Sequence, residues 1–206
     1  MIELDVQLSR DGELVVFHDA MLERTTNGYG AVCEHDLKDL KQLDAGSWFD
    51  AAFAGERLLT LTEVTDLVGT RARLNIEVKA DGVDWSAVVP TLVSLMRRRG
   101  LVDTAVVSCF DMNALSAVRQ HDASISIGLL WQNPDFTDAW QCAHELRAMS
   151  IHPHWTLCSE LILREAKIRG LEVLAWTVND LETMRALVRQ GVQGIMSDYP
   201  DRLAVA

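Results

Sequence analysis

The 206-residue sequence lacks the features of several protein classes. Its 19 Lys and Arg residues are outnumbered by 30 Asp and Glu residues, and its formal net charge is −11. This shortage of positive charge argues against nonspecific binding to nucleic acid or to an anionic membrane surface. No apolar run approaches the ~18 residues of a membrane span, and no signal-peptide pattern is present. We therefore expect no nucleic-acid partner and no stable membrane insertion.

Cysteines are few and no two lie close together in the sequence. The four positions are Cys33, Cys109, Cys142 and Cys158. Their spacing matches neither a zinc site nor a disulfide framework, which predicts a cytoplasmic, reducing location. A phosphate-binding P-loop is also missing, because the glycine-containing loop from Arg24 to Gly30 has neither the required spacing nor a Gly-Lys pair.

Short apolar segments alternate regularly with helical ones along most of the chain. After a helix capped by Thr60, strands are predicted at Leu74–Val78, Ala105–Phe110, Ile125–Leu130, Ser150–His152, Glu172–Thr177 and Gly194–Ser197. Helices are predicted at Trp85–Arg99, from Asp111 to His121, at Phe136–Met149, from Ser159 to Gly170 and from Asp180 to Gln190, with a shorter one near Leu37–Leu43. Such alternation predicts an α/β protein with a parallel sheet.

Two architectures are compatible with this alternation of strands and helices, a closed barrel and a doubly wound open sheet. Together with an opening strand, the series contains seven parallel strands, whereas a closed (β/α)8 barrel has eight. A doubly wound open sheet is the competing architecture. It would usually show a glycine-rich dinucleotide turn or another switch-point signal, and the sequence has none.

The first eight residues alternate strictly. Ile2, Leu4 and Val6 point to one face of a strand, whereas Glu3 and Asp5 point to the other. Two carboxylates on one strand face lie roughly 7 Å apart. If that face is buried, they repel each other unless one is protonated or a cation neutralises them. Taken alone, the stretch also suits an edge strand with a solvated polar face.

A second strand follows closely and ends at a histidine. Asp11-Gly12 forms a turn signal, and residues 13–17 form the next apolar segment. The two strands are too close in sequence for a helical crossover, so a hairpin or sharp bend is predicted. The hairpin directs His18 toward Glu3 and Asp5. A histidine at a strand end is commonly packed or exposed without a catalytic role, and only this direction makes His18 a candidate.

The segment from Leu74 to Lys79 repeats the opening pattern. Its polar face carries Asn75, Glu77 and Lys79. In a barrel, inward-facing polar groups near the strand ends are the usual site of catalysis, so Glu77 is expected to converge with the opening carboxylates. An all-oxygen set of ligands suits Mg²⁺, Ca²⁺ or Mn²⁺ better than zinc. Lys79 is either an anchor for a phosphate or a counter-charge for Glu77.

Several motifs resemble those of glycerophosphodiester phosphodiesterases, over the whole chain and most closely the small cytosolic bacterial enzymes. They are IELDVQL at residues 2–8, VVFHD at 15–19, LERTTNG at 22–28, LDAGSWF at 43–49, NIEVK at 75–79, WTVN at 176–179 and GIMSD at 194–198. The resemblance implies a single domain over residues 1–206 with a (β/α)8 TIM-barrel type of fold. It also implies a small insertion after the second strand, at about residues 19–55.

The resemblance also implies a reaction. Members of the family hydrolyse glycerophosphodiesters to glycerol 3-phosphate and an alcohol, in phospholipid and glycerol metabolism, with a divalent cation such as Ca²⁺ or Mg²⁺. The implied site residues are Glu3, Asp5 and Glu77 for the metal, His18 for proton exchange, Lys79 for the phosphate, and Phe110 and Trp176 for the glycerol pocket. The expected partner is a small-molecule substrate, and an oligomer is compatible with the sequence.

One family feature has no counterpart in the sequence. The family pattern begins with a strand ending in His-Arg-Gly, followed by a Pro-Glu-Asn-Thr loop and a helix. That first βα unit would supply an eighth strand, a second histidine, an arginine and another carboxylate. We therefore expect low activity, and instability or oligomerisation, since an incomplete barrel has open sheet edges. The alternatives are a noncatalytic remnant of the fold and a related barrel phospholipase acting on intact lipids.

Overall fold

The chain divides into two compact units, Met1–Ile125 and Ser126–Ala206. The computed structural model describes residues 1–80 and 82–206. In both units, strands and helices alternate along the chain, as predicted.

The first unit contains strands of two to seven residues and three helices longer than one turn. The strands are β1 (Ile2–Leu8), β2 (Leu14–Val16), β3 (Leu59–Thr60), β4 (Leu74–Val78) and β5 (Val106–Cys109). The α-helices are α1 (Leu37–Leu40), α2 (Leu61–Val68), α3 (Trp85–Arg99) and α4 (Met112–His121), and short 3-10 helices lie at Val32–Glu34 and Ala51–Phe53. Helix α3 has the predicted bounds. The capping box between Thr60 and Glu63 is confirmed, and Asp111 caps α4 as predicted.

The strands of this unit are ordered β3-β2-β1-β4-β5. Strands β1 and β2 pair antiparallel, which confirms the hairpin, whereas β1, β4 and β5 pair in parallel. The parallel register of β1 and β4 places Glu3 opposite Asn75 and Asp5 opposite Glu77. Strand β3 was not predicted, because its two residues are too few to produce a pattern; it pairs antiparallel with β2.

The segment between β2 and β3 encloses a small apolar core of its own. Leu22, Val32 and Leu40 are fully buried there and pack with Phe17 and Leu58. Helix α1 ends at Leu40, three residues before the predicted end. The lysine that follows hydrogen-bonds back to the helix as its cap, and the chain then continues in turns.

The second unit consists of parallel strands alternating with helices. Its strands are β6 (Ser126–Trp131), β7 (Ser150–Pro153), β8 (Glu172–Ala175) and β9 (Gly194–Ile195), in that order in the sheet. Its α-helices are α5 (Thr137–Glu145), α6 (Glu160–Ile168), α7 (Leu181–Gln190) and α8 (Pro200–Leu203), and a 3-10 helix lies at Trp155–Leu157. Ser159 and Asp180 cap α6 and α7 as predicted.

Helix α5 is shorter than predicted. It ends at Glu145 instead of Met149. Arg147 adopts a φ of 48°, which a right-handed helix does not accommodate. Residues 146–149 therefore lead from the helix into β7, which begins at the buried Ser150, instead of extending the helix.

The state of the cysteines and the character of the helices can also be compared with the predictions. All four cysteines are free; Cys33 is exposed and the other three are buried. Among residues 1–80 and 82–206, no helix combines the length and the apolar character that crossing a bilayer requires.

Candidate functional site

Three carboxylates converge in the first unit. Glu3, Asp5 and Glu77 each place one oxygen so that the three oxygens lie within 4.8 Å of one another. The parallel register of β1 with β4 produces this arrangement, because it sets Asp5 beside Glu77, and Glu3 lies two residues before Asp5 on the same face of β1. The convergence predicted from the two alternating segments is thus present.

The three acids differ in their exposure to solvent. Glu3 is exposed, Asp5 is half-buried and Glu77 is only 8 % exposed. Burial, and next the negative charge of Asp5, raise the pKa of the Glu77 carboxyl above its ordinary value. A positive charge beside Glu77 therefore favours its ionised form.

Lys79 supplies one such charge. Its Nζ atom lies 2.7 Å from Oε1 of Glu77 and 3.4 Å from Oδ1 of Asp5. Burial acts to lower the pKa of Lys79, but the charges of Glu77 and Asp5 outweigh burial and raise it above its ordinary value. Lys79 is thus a protonated counter-charge in the cluster, and its contacts with Glu77 and Asp5 leave one of its three ammonium hydrogens available to another acceptor.

The chemistry of this cluster fits a divalent cation. The ligands on offer are carboxylate oxygens, which Mg²⁺ and Ca²⁺ prefer. Three acids beside one lysine carry an excess of negative charge, and a bound cation would offset the burial and the repulsion from Asp5 that raise the pKa of Glu77. Glu3, Asp5 and Glu77 are the residues that would hold it.

His18 lies two residues after the end of β2, close enough to the acids to act on the pKa of Glu77. The backbone nitrogen of Phe17 donates to the carbonyl oxygen of Asp5 at 3.0 Å, which ties the two strands together one residue before His18. The charge of His18 also acts on the pKa of Glu77, lowering it. The His18 side chain is 63 % exposed, and its Nδ1 atom lies 2.6 Å from Oδ1 of Asp19. The imidazole is therefore open to solvent on one side and bound on the other.

Gln7 also supports the site, although the sequence places it on the polar face of the opening strand without indicating a role. This residue shares the polar face of β1 with Glu3 and Asp5, yet it is only 1 % exposed. Its Nε2 atom donates to the carbonyl oxygens of Phe17 and Asp19, at 3.0 and 2.7 Å. The available signal was the alternation itself, which assigns Gln7 to the same face as the two acids.

The predicted contacts of the glycerol group lie at two strand ends, one in each unit. In the first unit, Phe110 follows β5 and is half-buried. In the second unit, Trp176 follows β8, and its indole nitrogen donates to the carbonyl oxygen of His152 at 2.6 Å. The Trp176 ring packs edge-on against His154, with ring centroids 5.2 Å apart. The side chain of Trp176 is thus held in a defined orientation.

His152 is a core residue of the second unit. It is fully buried, its Nε2 atom lies 2.8 Å from Oγ of Ser150, and its Nδ1 atom has no hydrogen-bond partner within the part of the chain that the structure describes. Burial lowers the pKa of His152 to about 3. The ring therefore stays neutral near pH 7, which does not suit it to acid–base catalysis.

Comparison with known proteins places these observations in a family. Residues 1–202 match the model of the "Glycerophosphoryl diester phosphodiesterase family". A glycerophosphodiester phosphodiesterase of Caldanaerobacter subterraneus subsp. tengcongensis is 37 % identical, over 98 % of this chain and 83 % of its own length. One from Bacillus subtilis is 32 % identical, over 97 % of this chain and 74 % of its own.

A solved structure agrees with this result. A phosphodiesterase of Oleispira antarctica, in complex with the product sn-glycerol-3-phosphate, superposes with a TM-score of 0.91 and is 31 % identical. The match covers 98 % of this chain and 83 % of the other. The predicted α/β fold of the barrel type is confirmed by this agreement.

Proposed function

Since the chain belongs to the glycerophosphoryl diester phosphodiesterase family, we propose that it hydrolyses glycerophosphodiesters to glycerol 3-phosphate and an alcohol with a divalent cation bound by Glu3, Asp5 and Glu77. The observation that carries the proposal is the convergence of these three carboxylates within 4.8 Å. Ca²⁺ and Mg²⁺ are the proposed ions because all the ligands are oxygens.

Each side chain has a role that its position supports. Glu3, Asp5 and Glu77 would hold a cation whose charge would neutralise the phosphodiester and polarise a phosphoryl oxygen. Lys79, already charged beside Glu77, donates to another phosphoryl oxygen. His18 exchanges protons with the phosphodiester: the bond between phosphorus and the alcohol oxygen breaks, and that oxygen takes up a proton. A neighbouring hydroxyl of the substrate, and then water, is the proposed nucleophile.

Further aspects of the proposal concern substrate and location. Phe110 and Trp176 are proposed to contact the glycerol part of the substrate. The product found with the Oleispira antarctica enzyme supports a role in glycerol and phospholipid metabolism. The four free cysteines support a cytoplasmic location.

The test is an assay of glycerophosphocholine hydrolysis with Mg²⁺, Ca²⁺ or Mn²⁺ and with EDTA. We expect release of glycerol 3-phosphate that requires a cation and that falls at least ~10²-fold in Glu77→Gln, because a metal ligand is lost. Glu13→Gln is the matched control, since Glu13 is exposed and lies at the far end of the hairpin. Equal activity with EDTA and with each cation would contradict metal dependence.

A group of exposed aromatic side chains favours a second candidate substrate, an intact lipid. Trp48, Phe49 and Phe53 are 52, 69 and 47 % exposed, and their rings pack in sequence with centroids 5.7 and 5.6 Å apart. Exposed aromatic side chains of this kind suit contact with the apolar part of a lipid. Hydrolysis of lysophosphatidylcholine that is faster than hydrolysis of glycerophosphocholine, and that is lost in Phe49→Ser, would support a phospholipase instead.

A further inference from the structure

His18 belongs to a chain of three charged or ionisable side chains. Its Nδ1 atom lies 2.6 Å from Oδ1 of Asp19. Arg24 contacts the same carboxylate with two nitrogens, Nε to Oδ2 at 2.5 Å and Nη2 to Oδ1 at 2.8 Å. All three residues lie within seven positions of the sequence, between the end of β2 and the turn that follows.

The contact between His18 and Asp19 determines which ring nitrogen carries the proton. An ionised carboxylate only accepts hydrogen bonds, so Nδ1 of His18 must donate. In the neutral ring, the hydrogen then resides on Nδ1, and Nε2 keeps its lone pair. A neutral histidine can accept a proton only through the nitrogen that has a lone pair. The carboxylate therefore decides which side of the imidazole is reactive.

We propose that Asp19, held by Arg24, is a positioning residue that keeps His18 in the Nδ1–H tautomer, so that Nε2 is the nitrogen that exchanges protons with the phosphodiester. This inference rests on the proposed role of His18. It adds two residues, Asp19 and Arg24, that do not touch the substrate but set the state of one that does.

Arg24 keeps Asp19 ionised. The pKa of Asp19 is lowered to about 2. The hydrogen bond from the guanidinium of Arg24 is the main cause, and the contact with His18 is a smaller one. A carboxyl group of such low basicity does not remove the proton from Nδ1; it only orients the ring. Because Arg24 contacts both oxygens, it also fixes the plane of the carboxylate, which a lysine cannot do.

Gln7 holds the backbone of the same segment. Its buried amide donates to the carbonyl oxygens of the residues before and after His18. The side-chain and backbone contacts therefore restrain His18 from two directions. An exposed ion pair by itself contributes little to stability, so the pair of Asp19 and Arg24 is better explained by its contact with the histidine than by a stabilising role.

The first experiment measures the tautomer directly. Imidazole ¹⁵N shifts of the uniformly labelled protein are recorded at about pH 8, where an ordinary imidazole is neutral. His35 is an internal reference of the opposite kind: its Nε2 atom lies 2.9 Å from the carbonyl oxygen of Tyr29 and must donate to it. We expect Nδ1–H for His18 and Nε2–H for His35. An Nε2–H tautomer of His18 in the unmodified protein would overturn the inference.

The variants test the causes. In Asp19→Asn the His18 signals should shift toward the Nε2–H form, and kcat should fall about 10²-fold with KM changed less than about 3-fold. Arg24→Lys should give a smaller decrease in kcat, about 10-fold, because charge is retained but the two-point contact is lost. Asp66→Asn is the matched control, because it removes an exposed aspartate paired with Arg99 at 2.5 Å on helices α2 and α3. Asp66→Asn should change neither the tautomer of His18 nor kcat.

The outcomes separate this inference from the proposed function. If Asp19→Asn keeps both the tautomer and kcat, Asp19 does not position His18, whatever the reaction is. If His18→Asn retains full activity, the proposed role of His18 fails, and with it the catalytic part of the inference. The tautomer measurement then still decides, without any assay, whether Asp19 sets the state of the ring.

Discussion

The side-chain nitrogen of Gln7 donates a hydrogen bond of 2.7 Å to the carbonyl oxygen of Asp19. The same nitrogen donates to the carbonyl oxygen of Phe17 at 3.0 Å, so one buried amide bridges the two sides of His18. The strand that contributes Glu3 and Asp5 to the carboxylate cluster therefore also supports the candidate proton-transfer residue.

Replacing Gln7 with methionine should affect stability and activity together. Gln7→Met keeps the side-chain volume but removes the donor from one buried and one partly buried carbonyl oxygen, which we expect to cost about 1–3 kcal/mol of unfolding free energy. Urea unfolding measures this loss, and kcat for glycerophosphocholine should fall because His18 is less restrained. Gln190→Met, at an exposed position, should be neutral. Unchanged stability and kcat in Gln7→Met would show that the two hydrogen bonds from Gln7 are not needed to hold His18.

Removing Lys79 should make the protein dependent on a divalent cation for stability. In Lys79→Met the buried Glu77 loses a partner at 2.7 Å, and breaking such a pair should cost about 3 kcal/mol in EDTA. Thermal unfolding with EDTA and with Mg²⁺ or Ca²⁺ should show a larger cation-induced rise in Tm for the variant than for the wild type. Lys167→Met, on an exposed face of α6, serves as the control. An equal rise in both proteins would argue against cation binding at the cluster.

Gly128 should not tolerate a side chain while His152 is present. A Cβ atom at Gly128 would collide with the ring atoms Cε1 and Nε2 of His152. Gly128→Ala should therefore lose about 1–3 kcal/mol of unfolding free energy. The same substitution in a His152→Ala background should cost at least about 1 kcal/mol less, because the colliding ring is gone. Additive effects of the two substitutions in urea unfolding would refute this packing.

Burial of His152 should make the protein sensitive to acid. The folded-state pKa of His152 is about 3, whereas the ordinary value is 6.5. Between these values the unfolded chain binds the proton and the folded protein does not, so stability should fall as the pH decreases from about 6.5 to about 3. We expect wild type to lose about 4 kcal/mol more than His152→Asn across this range, from urea unfolding at several pH values. Parallel stability curves for the two proteins would contradict the prediction.

Features of the fold that follow a regular sequence pattern could be predicted from the sequence. Strict alternation located β1 and β4 and assigned Glu3, Asp5 and Glu77 to one face, and the register then brought them together. Capping residues placed the starts of helices, as at Thr60. The prediction of the family and of its enzyme class, a phosphoric diester hydrolase, is confirmed by the match over residues 1–202.

The contacts between side chains and backbone could not be obtained in this way. The Asp19 and Arg24 contacts depend on the path of the loop after β2, which has no repeating pattern. The burial of His152 depends on the absence of a side chain at Gly128 on the neighbouring strand, which becomes visible only once the register of β6 and β7 is known. Strand β3 is too short to produce a sequence pattern, and the end of α5 depends on the backbone conformation of Arg147, which the sequence does not reveal.

One face of strand β1 carries both the acids of the carboxylate cluster and the glutamine that supports His18, and this limits which insertions and deletions the strand can tolerate. Glu3, Asp5 and Gln7 occur at every second position, so deletion or insertion of one residue within β1 would turn part of this set toward the opposite, apolar side. A point substitution removes one of these groups, whereas a one-codon length change displaces the acids relative to Gln7 and disrupts two roles at once. Length variation among working relatives should therefore be concentrated in loops and excluded from this strand.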